Sequence, residues 1–346
     1  MSSEELEQTI QSLLSLLEPH FRERARRKFK RNVKEFQFTA TQTTERMGAS
    51  GRVLVSNVYY QAGDEQSFDT VALKFFQNSA SAITEIRNAM DLEVKFRAAP
   101  EFGIPRVIFA STKNPVLIIY EGIIATNYDE IDVPKKAWEA GRLLATIHGG
   151  TIRPVETALY RDLSRMIGQH IAETGMERDI SQGLRHYFEK MEGAQSGCNP
   201  FSDFHQSNVM IAATNNEIDR CYVIDPEFMQ TGSFDRLEDT GTFFGHQLYQ
   251  EYVATGAIDQ ARQDLHEFLN GYDSKLKELG AEPLRMIYPR GNPVSFFIAQ
   301  WAIMDALDIA LNRGGDLKSA ETLTRLNFAK FILNPRNEFQ FPVVNQ

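Results

Sequence analysis

Cysteine is scarce in this sequence, and long apolar runs are missing. Two cysteines among 346 residues, Cys198 and Cys221, are too few for a disulfide framework and lack the spacing of a metal site. The most apolar run, over residues 296–311, contains one glutamine and two aspartates, which predicts an amphipathic helix and not a membrane span. The first residues are acidic and polar, unlike a signal peptide. We therefore expect a soluble, cytoplasmic protein with no membrane partner.

Excess positive charge is missing as well. The formal net charge is −9, whereas binding to nucleic acid needs a basic face, so we expect no nucleic-acid partner. One basic run, over residues 22–34, is compatible with an anion-binding arm. It also fits a solvated helix face whose Phe21, Phe29 and Val33 pack inward, and charge runs are usually of this second kind. The chain is long enough for one large or two intimate domains.

The periodicity of the apolar residues changes along the chain. Helical spacing marks residues 3–18, and the alternation typical of strands begins near residue 34. The elements predicted next are strands over 34–41, 52–61 and 68–77, a helix over 80–98, and strands over 105–111 and 115–122. Beyond a hinge at 123–131 the pattern is mainly helical. The predicted class is α+β, with an N-terminal helical extension (1–34), a lobe of antiparallel sheet plus helix (35–122) and a helical C-terminal lobe (123–346).

A polar loop and the strand after it carry four side chains that suit phosphate chemistry. Asp203 and Asn208 lie in the loop, and Asp225 and Glu227 follow the apolar residues 221–224. In phosphoryl transfer, one carboxylate meets the acceptor hydroxyl, while an amide and a second carboxylate hold Mg²⁺ against the phosphates. An aspartate and an asparagine at this spacing are common by chance. An aspartate before a proline is also a plain turn signal.

Lys74 lies in a strand whose other residues indicate burial. An isolated buried ammonium group is costly, so this lysine needs a carboxylate partner or a phosphate nearby. Glu93, on the helix that follows, is the best candidate for the partner, with Glu85 second. The alternative is that Lys74 faces solvent on an open side of the sheet.

The glycines and histidines give weaker signals. Gly48, Ser50 and Gly51 lie in a turn between two strands, where glycine lets backbone amides approach phosphate, although most such turns only reverse the chain. His205 follows the loop aspartate closely enough to steady the loop. His148 ends an apolar helix, as a buried or capping residue does. The sequence has no recognisable Ser–His–Asp or zinc signature.

Between residues 36 and 245 the motifs occur in a specific order. They are VALKFF, the helix with Glu93, GIPRVI, LIIYEG, GRLLATIH, SDFHQSNVMI and VIDPEF. In this order they resemble the aminoglycoside phosphotransferase and choline kinase superfamily, small-molecule relatives of protein kinases. The DPEF run resembles methylthioribose kinases in particular. No single motif is decisive, but the ordered set is specific.

The resemblance implies a bilobal, protein-kinase-like fold that binds ATP and Mg²⁺ in the cleft between its lobes. It makes Asp203 the catalytic base. It implies that the nucleotide is bound by Lys74, Glu93, Gly48, Ser50, Gly51, Tyr120, Glu121 and Ile123, and the metal by Asn208, Asp225 and Glu227. The expected reaction transfers the γ-phosphate of ATP to a hydroxyl of a small molecule, such as a sugar, an amino alcohol or an aminoglycoside-like compound. A homodimer is left open.

Two departures from the family pattern keep an alternative open. Phe201 stands where many members have histidine, and Ser202 where glycine or asparagine is common. An inactive pseudokinase that binds nucleotide or acts as a scaffold is therefore the competing interpretation. A kinase of protein substrates is disfavoured, because no Ala-Pro-Glu segment follows Asp225.

The acceptor is less well defined by the sequence than the phosphate donor. The residues considered for it are acidic or aromatic, namely Glu227, Asp235, Glu238, Asp239, Tyr249 and Trp301. Together they favour a cationic or polyhydroxyl acceptor, since aromatic rings and carboxylates attract cations. Asp239 is alternatively a helix cap. Lysines or arginines lining the pocket would instead favour an anionic acceptor.

Overall fold

The structure is a computed structural model of the chain. It describes residues 12–13, 15–29, 41–47, 51–62, 65–150, 153–230, 232–313 and 316–341. Most of the helix predicted over 3–18 lies outside these residues, and so do Gly48, Ser50 and the end of the basic run, residues 30–34.

The elements follow one another in an order that matches the predicted α+β class. The strands are β1 (Thr41–Met47), β2 (Gly51–Ala62), β3 (Glu65–Phe76), β4 (Phe102–Gly103), β5 (Val107–Ser111), β6 (Leu117–Glu121), β7 (Thr126–Asn127), β8 (Gly197–Cys198), β9 (Val209–Thr214), β10 (Glu217–Val223) and β11 (Phe234–Asp235). The helices are α1 (Glu18–Phe29), α2 (Ser79–Phe96), α3 (Lys136–His148), α4 (Thr157–His170), α5 (Glu177–Met191), α6 (Glu238–Thr255), α7 (Asp259–Glu278), α8 (Leu284–Ile287), α9 (Val294–Asn312) and α10 (Ala320–Leu333).

The chain forms two compact units. The first comprises the described residues up to Val94 together with Ile104–Ile124, and the second comprises Lys95–Gly103 and the chain from Ala125 onward. The second unit thus includes a short segment, residues 95–103, that the predicted boundaries assigned to the N-terminal lobe. The first unit is an antiparallel sheet with helices, and the second is mainly helical, as the periodicity predicted.

The sheet of the first unit is buried on both faces. Its strand order is β1-β2-β3-β6-β5, and every pairing is antiparallel. Because side chains alternate along a strand, the odd-numbered residues of β3 and β6 face one side and the even-numbered residues face the other. The odd-numbered set packs with Phe21 of α1 and with Leu17, the residue before this helix, and the even-numbered set packs with Ala82 of α2. Each face therefore carries one helix.

Arg24 connects α1 to two inner strands of this sheet. Its guanidinium pairs with Asp69 of β3 at 3.0 Å and also donates to the carboxylate of Glu121 at the end of β6. Arg26 and Arg27, by contrast, pair only within α1, with Glu23. Within the described residues the basic run therefore lies on a solvated helix face, as the second interpretation predicted. Arg24 is the exception, because it forms ion pairs with two strands.

The second unit is built on close helix contacts around a small sheet. That sheet has the order β4-β10-β9-β7. Gly141 and Gly271 let α3 and α7 touch: a Cβ at Gly141 would lie 2.0 Å from the carbonyl oxygen of Phe268. No side chain larger than hydrogen fits there. The glycine of the GRLLATIH motif is thus explained by helix packing.

Helix α9 is a core helix of this unit. By length and composition alone it is apolar enough to cross a membrane, but 61% of its most apolar window is buried inside the protein. Its buried side chains are contributed by all its turns from Val294 to Ile309. The predicted amphipathic helix over 296–311 corresponds to this element.

The two cysteines are free and buried. Cys198 lies in β8 and Cys221 in β10, and neither forms a disulfide, as their number predicted. Burial raises the pKa of both thiols well above the ordinary value. Since the thiolate is the reactive form, both side chains serve as packing groups and not as nucleophiles.

Replacing Arg24 tests the attachment of α1. We expect Arg24→Ala to lower the free energy of unfolding of the first unit by about 1–2 kcal/mol, because two partly buried carboxylates lose their partner. The matched control is Arg27→Ala on the same helix, whose side chain is 78% exposed and should matter by less than about 0.5 kcal/mol. Urea unfolding followed by circular dichroism measures both, and equal losses in the two variants would contradict the attachment.

Candidate active site

The loop that contains Asp203 is anchored by aromatic side chains. Phe201 and Phe204 are fully buried, and their rings meet edge to face with centroids 5.9 Å apart. Phe204 also stacks on Phe243 of α6 at 5.2 Å. Phe201, which departs from the family's histidine, therefore fills the core beneath the loop, and its apolar character has a packing reason.

A single carboxylate holds the backbone at the start of this loop. Asp239 accepts a hydrogen bond from the backbone N–H of Phe201 at 2.7 Å and another from that of Ser202 at 2.8 Å. Ser202 has φ 67°, a left-handed conformation that costs energy for a residue with a side chain. The hydrogen bonds to Asp239 offset that cost. Asp239 was considered for acceptor binding or helix capping from the sequence, but it is an anchor for the loop.

Asp239 is itself held by a buried chain of polar groups. The ring Nε2 of His148 lies 2.9 Å from its carboxylate, and Nδ1 lies 2.7 Å from the hydroxyl of Tyr272. Arg236 donates to the same hydroxyl at 3.3 Å. Burial lowers the pKa of His148, so the ring is neutral, donates from Nε2 and accepts at Nδ1. The prediction that His148 is a satisfied buried residue is confirmed.

Within the loop, Asn208 is bound to Asp203. Its side-chain amide nitrogen donates to the backbone oxygen of Asp203 at 3.0 Å and to the carboxylate at 3.1 Å. Both donated bonds fix the amide orientation, so its carbonyl oxygen is the atom directed away from Asp203. His205 lies at 3.6 Å from the other carboxylate oxygen, which agrees with a role in steadying the loop.

The β9–β10 hairpin brings Asp225 next to Asn208. Val209 at the start of β9 pairs with Val223 at the end of β10, and the N–H of Ile224 donates to the backbone oxygen of Asn208 at 2.9 Å. Asp225 follows with φ 55°, a left-handed conformation that aspartate tolerates better than most residues. The two predicted metal ligands, Asn208 and Asp225, thus lie side by side at the same end of one hairpin.

Glu227, the third predicted ligand, lies two residues beyond Asp225 in a short 3₁₀ turn, Pro226–Phe228. Within the part of the chain that the structure describes, no three His, Cys, Asp or Glu side chains converge as they do in a metal site made by protein alone. A magnesium ion bound here would need further ligands, as it does where it bridges protein carboxylates to substrate phosphates.

The first unit contains a buried carboxylate with two donors. Lys74 is 3% exposed and its ammonium group lies 2.8 Å from one carboxylate oxygen of Glu85, while the hydroxyl of Tyr120 donates to the other oxygen. The prediction that Lys74 needs a carboxylate partner is confirmed, but the choice of Glu93 is wrong. Glu93 lies two helical turns later, on the exposed side of α2. Glu85 comes from the turn of α2 that faces the even-numbered residues of β3.

Two backbone amides at the end of β6 are used within the sheet, and the predicted nucleotide contacts of Tyr120, Glu121 and Ile123 stay predictions. The N–H of Glu121 donates to Arg106 at 2.8 Å, and that of Gly122 donates to Thr70 at 2.6 Å. These two amides therefore belong to the sheet and are not donors for adenine. The side chain of Tyr120 is committed to Glu85, and Ile123 is partly exposed. Gly51, from the predicted phosphate turn, is the first residue of β2 and pairs with Phe76.

A cavity of about 410 Å³ lies between α6 and α9, and we call it the α6–α9 cavity. It is lined by Glu238, Thr242, Phe297, Gln300, Trp301, Met304, Asp305 and Asp308. Of the acidic and aromatic residues that the sequence suggested for acceptor binding, Glu238 and Trp301 line it. Asp235 instead accepts hydrogen bonds from Ser196 and Tyr288 in the core. Asp305 and Asp308 were missed, since nothing in their spacing distinguishes them from a solvated helix face.

No family model matches the sequence, and no curated protein is significantly similar to it. Solved structures do resemble it, among them two phosphotransferases and a kinase domain. Spectinomycin phosphotransferase APH(9)-Ia, in complex with ADP and spectinomycin, is 14% identical over 94% of this chain and 95% of that chain, with a TM-score of 0.45. An aminoglycoside-3'-phosphotransferase of type VIII is 12% identical over 86% of this chain and 92% of that chain, with a TM-score of 0.34. The PknI kinase domain of Mycobacterium tuberculosis is 12% identical over 85% of this chain and 95% of that chain, with a TM-score of 0.28.

Two of these neighbours are phosphotransferases, as the proteins that the motifs resemble are. Their identities are 14% or less and their TM-scores are below 0.5. At that distance they carry no argument about what this chain binds or does.

Replacing Asp239 tests its role as the anchor of the loop. We expect Asp239→Asn to lower the free energy of unfolding by about 2–4 kcal/mol, because one amide oxygen cannot replace a carboxylate that accepts from two backbone amides and His148. The same change at the exposed Asp162 is the control, and it should cost less than about 0.5 kcal/mol. Denaturant titration measures both, and similar small losses would contradict the anchor.

The buried carboxyl group of Glu238 should make the free energy of unfolding depend on pH. Burial raises its pKa from 4.5 to about 7, so between these values the folded protein holds a proton that the unfolded chain has lost. The free energy of unfolding therefore falls as the pH rises from about 4.5 to about 7. Glu238→Gln should remove up to about 3 kcal/mol of this fall, since a pKa unit corresponds to about 1.4 kcal/mol. Unfolding curves from pH 4.5 to 7.5 measure it.

The control for this pH effect is Glu156→Gln, the same change at an exposed position before α4. Its curve should run parallel to that of the unchanged protein. A Glu238→Gln curve that also stays parallel over the whole range would contradict the raised pKa.

Proposed function

We propose that the protein is an ATP-dependent kinase that phosphorylates a hydroxyl of a small molecule. The observation that carries this proposal is the arrangement of Asp203, Asn208 and Asp225 at one end of the β9–β10 hairpin. A base, an amide oxygen and a second carboxylate are the groups that phosphoryl transfer requires from a protein. The buried pair of Lys74 and Glu85 supports it independently.

Asp203 would act as the base. Its carboxylate is held by Asn208 on one side and by His205 on the other, so it is positioned and remains partly exposed. As the acceptor oxygen bonds to the γ-phosphorus and the bond to ADP breaks, the hydroxyl proton passes to this carboxylate. Positioning of this kind accounts for most of the rate gain in phosphoryl transfer.

Asn208 and Asp225 would hold Mg²⁺, with Glu227 nearby. The orientation of the Asn208 amide supports this, because its nitrogen is used by Asp203 and its oxygen is left for a cation. One amide oxygen and one or two carboxylates fit an ion that completes its shell with phosphate oxygens and water. When bound, the ion would neutralise charge on the phosphates.

Lys74 would contact phosphate oxygens. Its pair with Glu85 explains how an ammonium group is tolerated at 3% exposure. Lys74 contacts one oxygen of the Glu85 carboxylate, and the hydroxyl of Tyr120 donates to the other oxygen. An ammonium group is a positively charged donor, which is what a phosphate oxygen requires of its partner.

The partners proposed for the protein are the nucleotide and a small hydroxyl-bearing acceptor, in a cytoplasmic setting. The competing proposal is a pseudokinase, which binds nucleotide without turnover. The polar groups named above argue against it, since a scaffold has no chemical need for a held aspartate and a buried lysine together. The apolar Phe201 gives it no support, because packing explains that residue.

Turnover tests the proposal directly. ADP release from MgATP is measured with a panel of sugars, amino alcohols and aminoglycosides. We expect Asp203→Asn to reduce kcat by about 10²- to 10⁴-fold, the usual effect of removing a positioned base. Asp219→Asn on β10 is the matched control, because Asp219 is an exposed aspartate of the same hairpin whose carboxylate accepts a hydrogen bond from Thr214.

Binding separates the two candidate functions. MgATP should raise the melting temperature of both the unchanged protein and Asp203→Asn, because a ligand that binds only the folded state stabilises it. Stabilisation without turnover on any acceptor would favour the pseudokinase. No stabilisation by ATP, with or without Mg²⁺, would contradict both.

A further inference from the structure

We propose that the α6–α9 cavity binds an uncharged, hydroxyl-rich molecule such as a sugar or a polyol, and that this molecule is the phosphate acceptor. The inference rests on the proposed kinase function and narrows its acceptor class. The sequence left two classes open, a cationic and a polyhydroxyl acceptor. The contacts of the cavity distinguish them.

The cavity has the size and composition of a small-molecule site. Its volume of about 410 Å³ lies in the range of ligand pockets, which combine apolar walls with a few polar groups. Glu238 and Thr242 lie one turn apart on α6, and the remaining lining residues come from α9. Phe297 is 2% exposed and provides a fixed apolar wall.

The carboxylates of the cavity are largely neutralised by the protein itself. Asp308 accepts from Arg313 at 2.7 Å, and Asp305 pairs with Arg325 and, at 3.9 Å, with Arg313. The third carboxyl group is Glu238, which accepts a hydrogen bond from the Tyr160 hydroxyl at 2.7 Å and whose pKa burial raises to about 7. Arg313 and Arg325 thus pair with the two aspartates, Arg325 being shared with Glu321 at 3.2 Å, and Glu238 is only partly ionised at neutral pH. A cation would gain little here, contrary to what the number of acidic residues indicated.

The same groups suit hydroxyls. Paired carboxylates keep acceptor lone pairs, and a carboxyl group near its pKa both donates and accepts. A ligand with several hydroxyls can donate to the remaining lone pairs of these carboxylates without bringing a charge.

Trp301 supplies a flat apolar surface. A Cβ at Gly245 would lie 2.4 Å from its ring, so the indole lies directly against the backbone of α6 and its position is fixed. An aromatic face beside convergent polar groups matches a ring that has apolar C–H faces and polar edges. Sugars and cyclic polyols have this shape, whereas a compact ammonium alcohol does not.

The cavity is also tied to the catalytic loop. Glu238, in its wall, is followed by Asp239, which holds the backbone of Phe201 and Ser202. One turn of α6 therefore fixes both the cavity and the residues immediately before Asp203. This common support is the reason for assigning the cavity to the acceptor and not to an unrelated ligand.

Tryptophan fluorescence tests the site without nucleotide. The chain has two tryptophans, and Trp138 stacks with Arg142 on α3, so Trp138→Phe leaves Trp301 as the reporter. The variant is titrated with glucose, ribose, inositol and N-acetylglucosamine, and with glucosamine, ethanolamine and choline. We expect saturable changes with at least one neutral compound, and affinity for N-acetylglucosamine or glucose about 10-fold or more above that for glucosamine. Tighter binding of the ammonium compounds, or no response to any neutral one, would overturn the proposal.

A cavity-filling variant provides the second test. Thr242→Phe should lower affinity for the neutral ligand by about 10-fold or more while MgATP still raises the melting temperature. If that variant does not fold, Met304→Phe fills the cavity from the exposed end and keeps Trp301 as the sole tryptophan, since Met304 is 41% exposed. Unchanged ligand affinity in a folded variant would place the ligand elsewhere.

These outcomes separate this inference from the kinase proposal. Turnover of a cationic alcohol, with no effect of filling the cavity, would leave the kinase intact and overturn the acceptor class. Binding of a neutral ligand to Trp301 without phosphate transfer to it would leave the cavity as a ligand site but overturn its role as the acceptor site.

Discussion

Asp239 accepts three hydrogen bonds inside the second unit, two from the backbone amides of Phe201 and Ser202 and one from His148. A carboxylate at 1% exposure is stable only with such partners. The two backbone hydrogen bonds hold Ser202 in its left-handed conformation and thereby set the path of the chain into Asp203. The base, its asparagine and the hairpin that follows all depend on this one buried charge, and so does the wall of the α6–α9 cavity, which begins one residue earlier.

The order of strands and helices, and the loop with Asp203, Asn208 and Asp225, could be predicted from the sequence. Local alternation determines the strands, and short spacings bring the loop residues together. The partner of Lys74 could not be chosen with certainty, because Glu85 and Glu93 lie eight residues apart on one helix and only the packing of α2 on β3 decides between them. The role of Asp239 depends on contacts with residues nearly forty positions earlier, which no local pattern reveals.

Charge in the α6–α9 cavity shows why composition is a poor guide to ligand class. Counting carboxylates along the sequence favoured a cation as much as a polyol. In the folded protein the arginines that neutralise Asp305 and Asp308 come from the end of α9 and from α10, and Glu238 is altered by burial. The property that selects a ligand is the charge left after such pairing. It belongs to the tertiary structure and not to the residue list.

The two cysteines have a practical consequence. Because Cys198 and Cys221 are buried, and burial raises the pKa of both, neither competes for thiol reagents near neutral pH. A cysteine introduced at an exposed position of either unit would be the reactive thiol among the described residues. Paired dyes or spin labels can therefore be placed in the folded protein without first removing its own thiols, and the distance between its two units can be followed in solution.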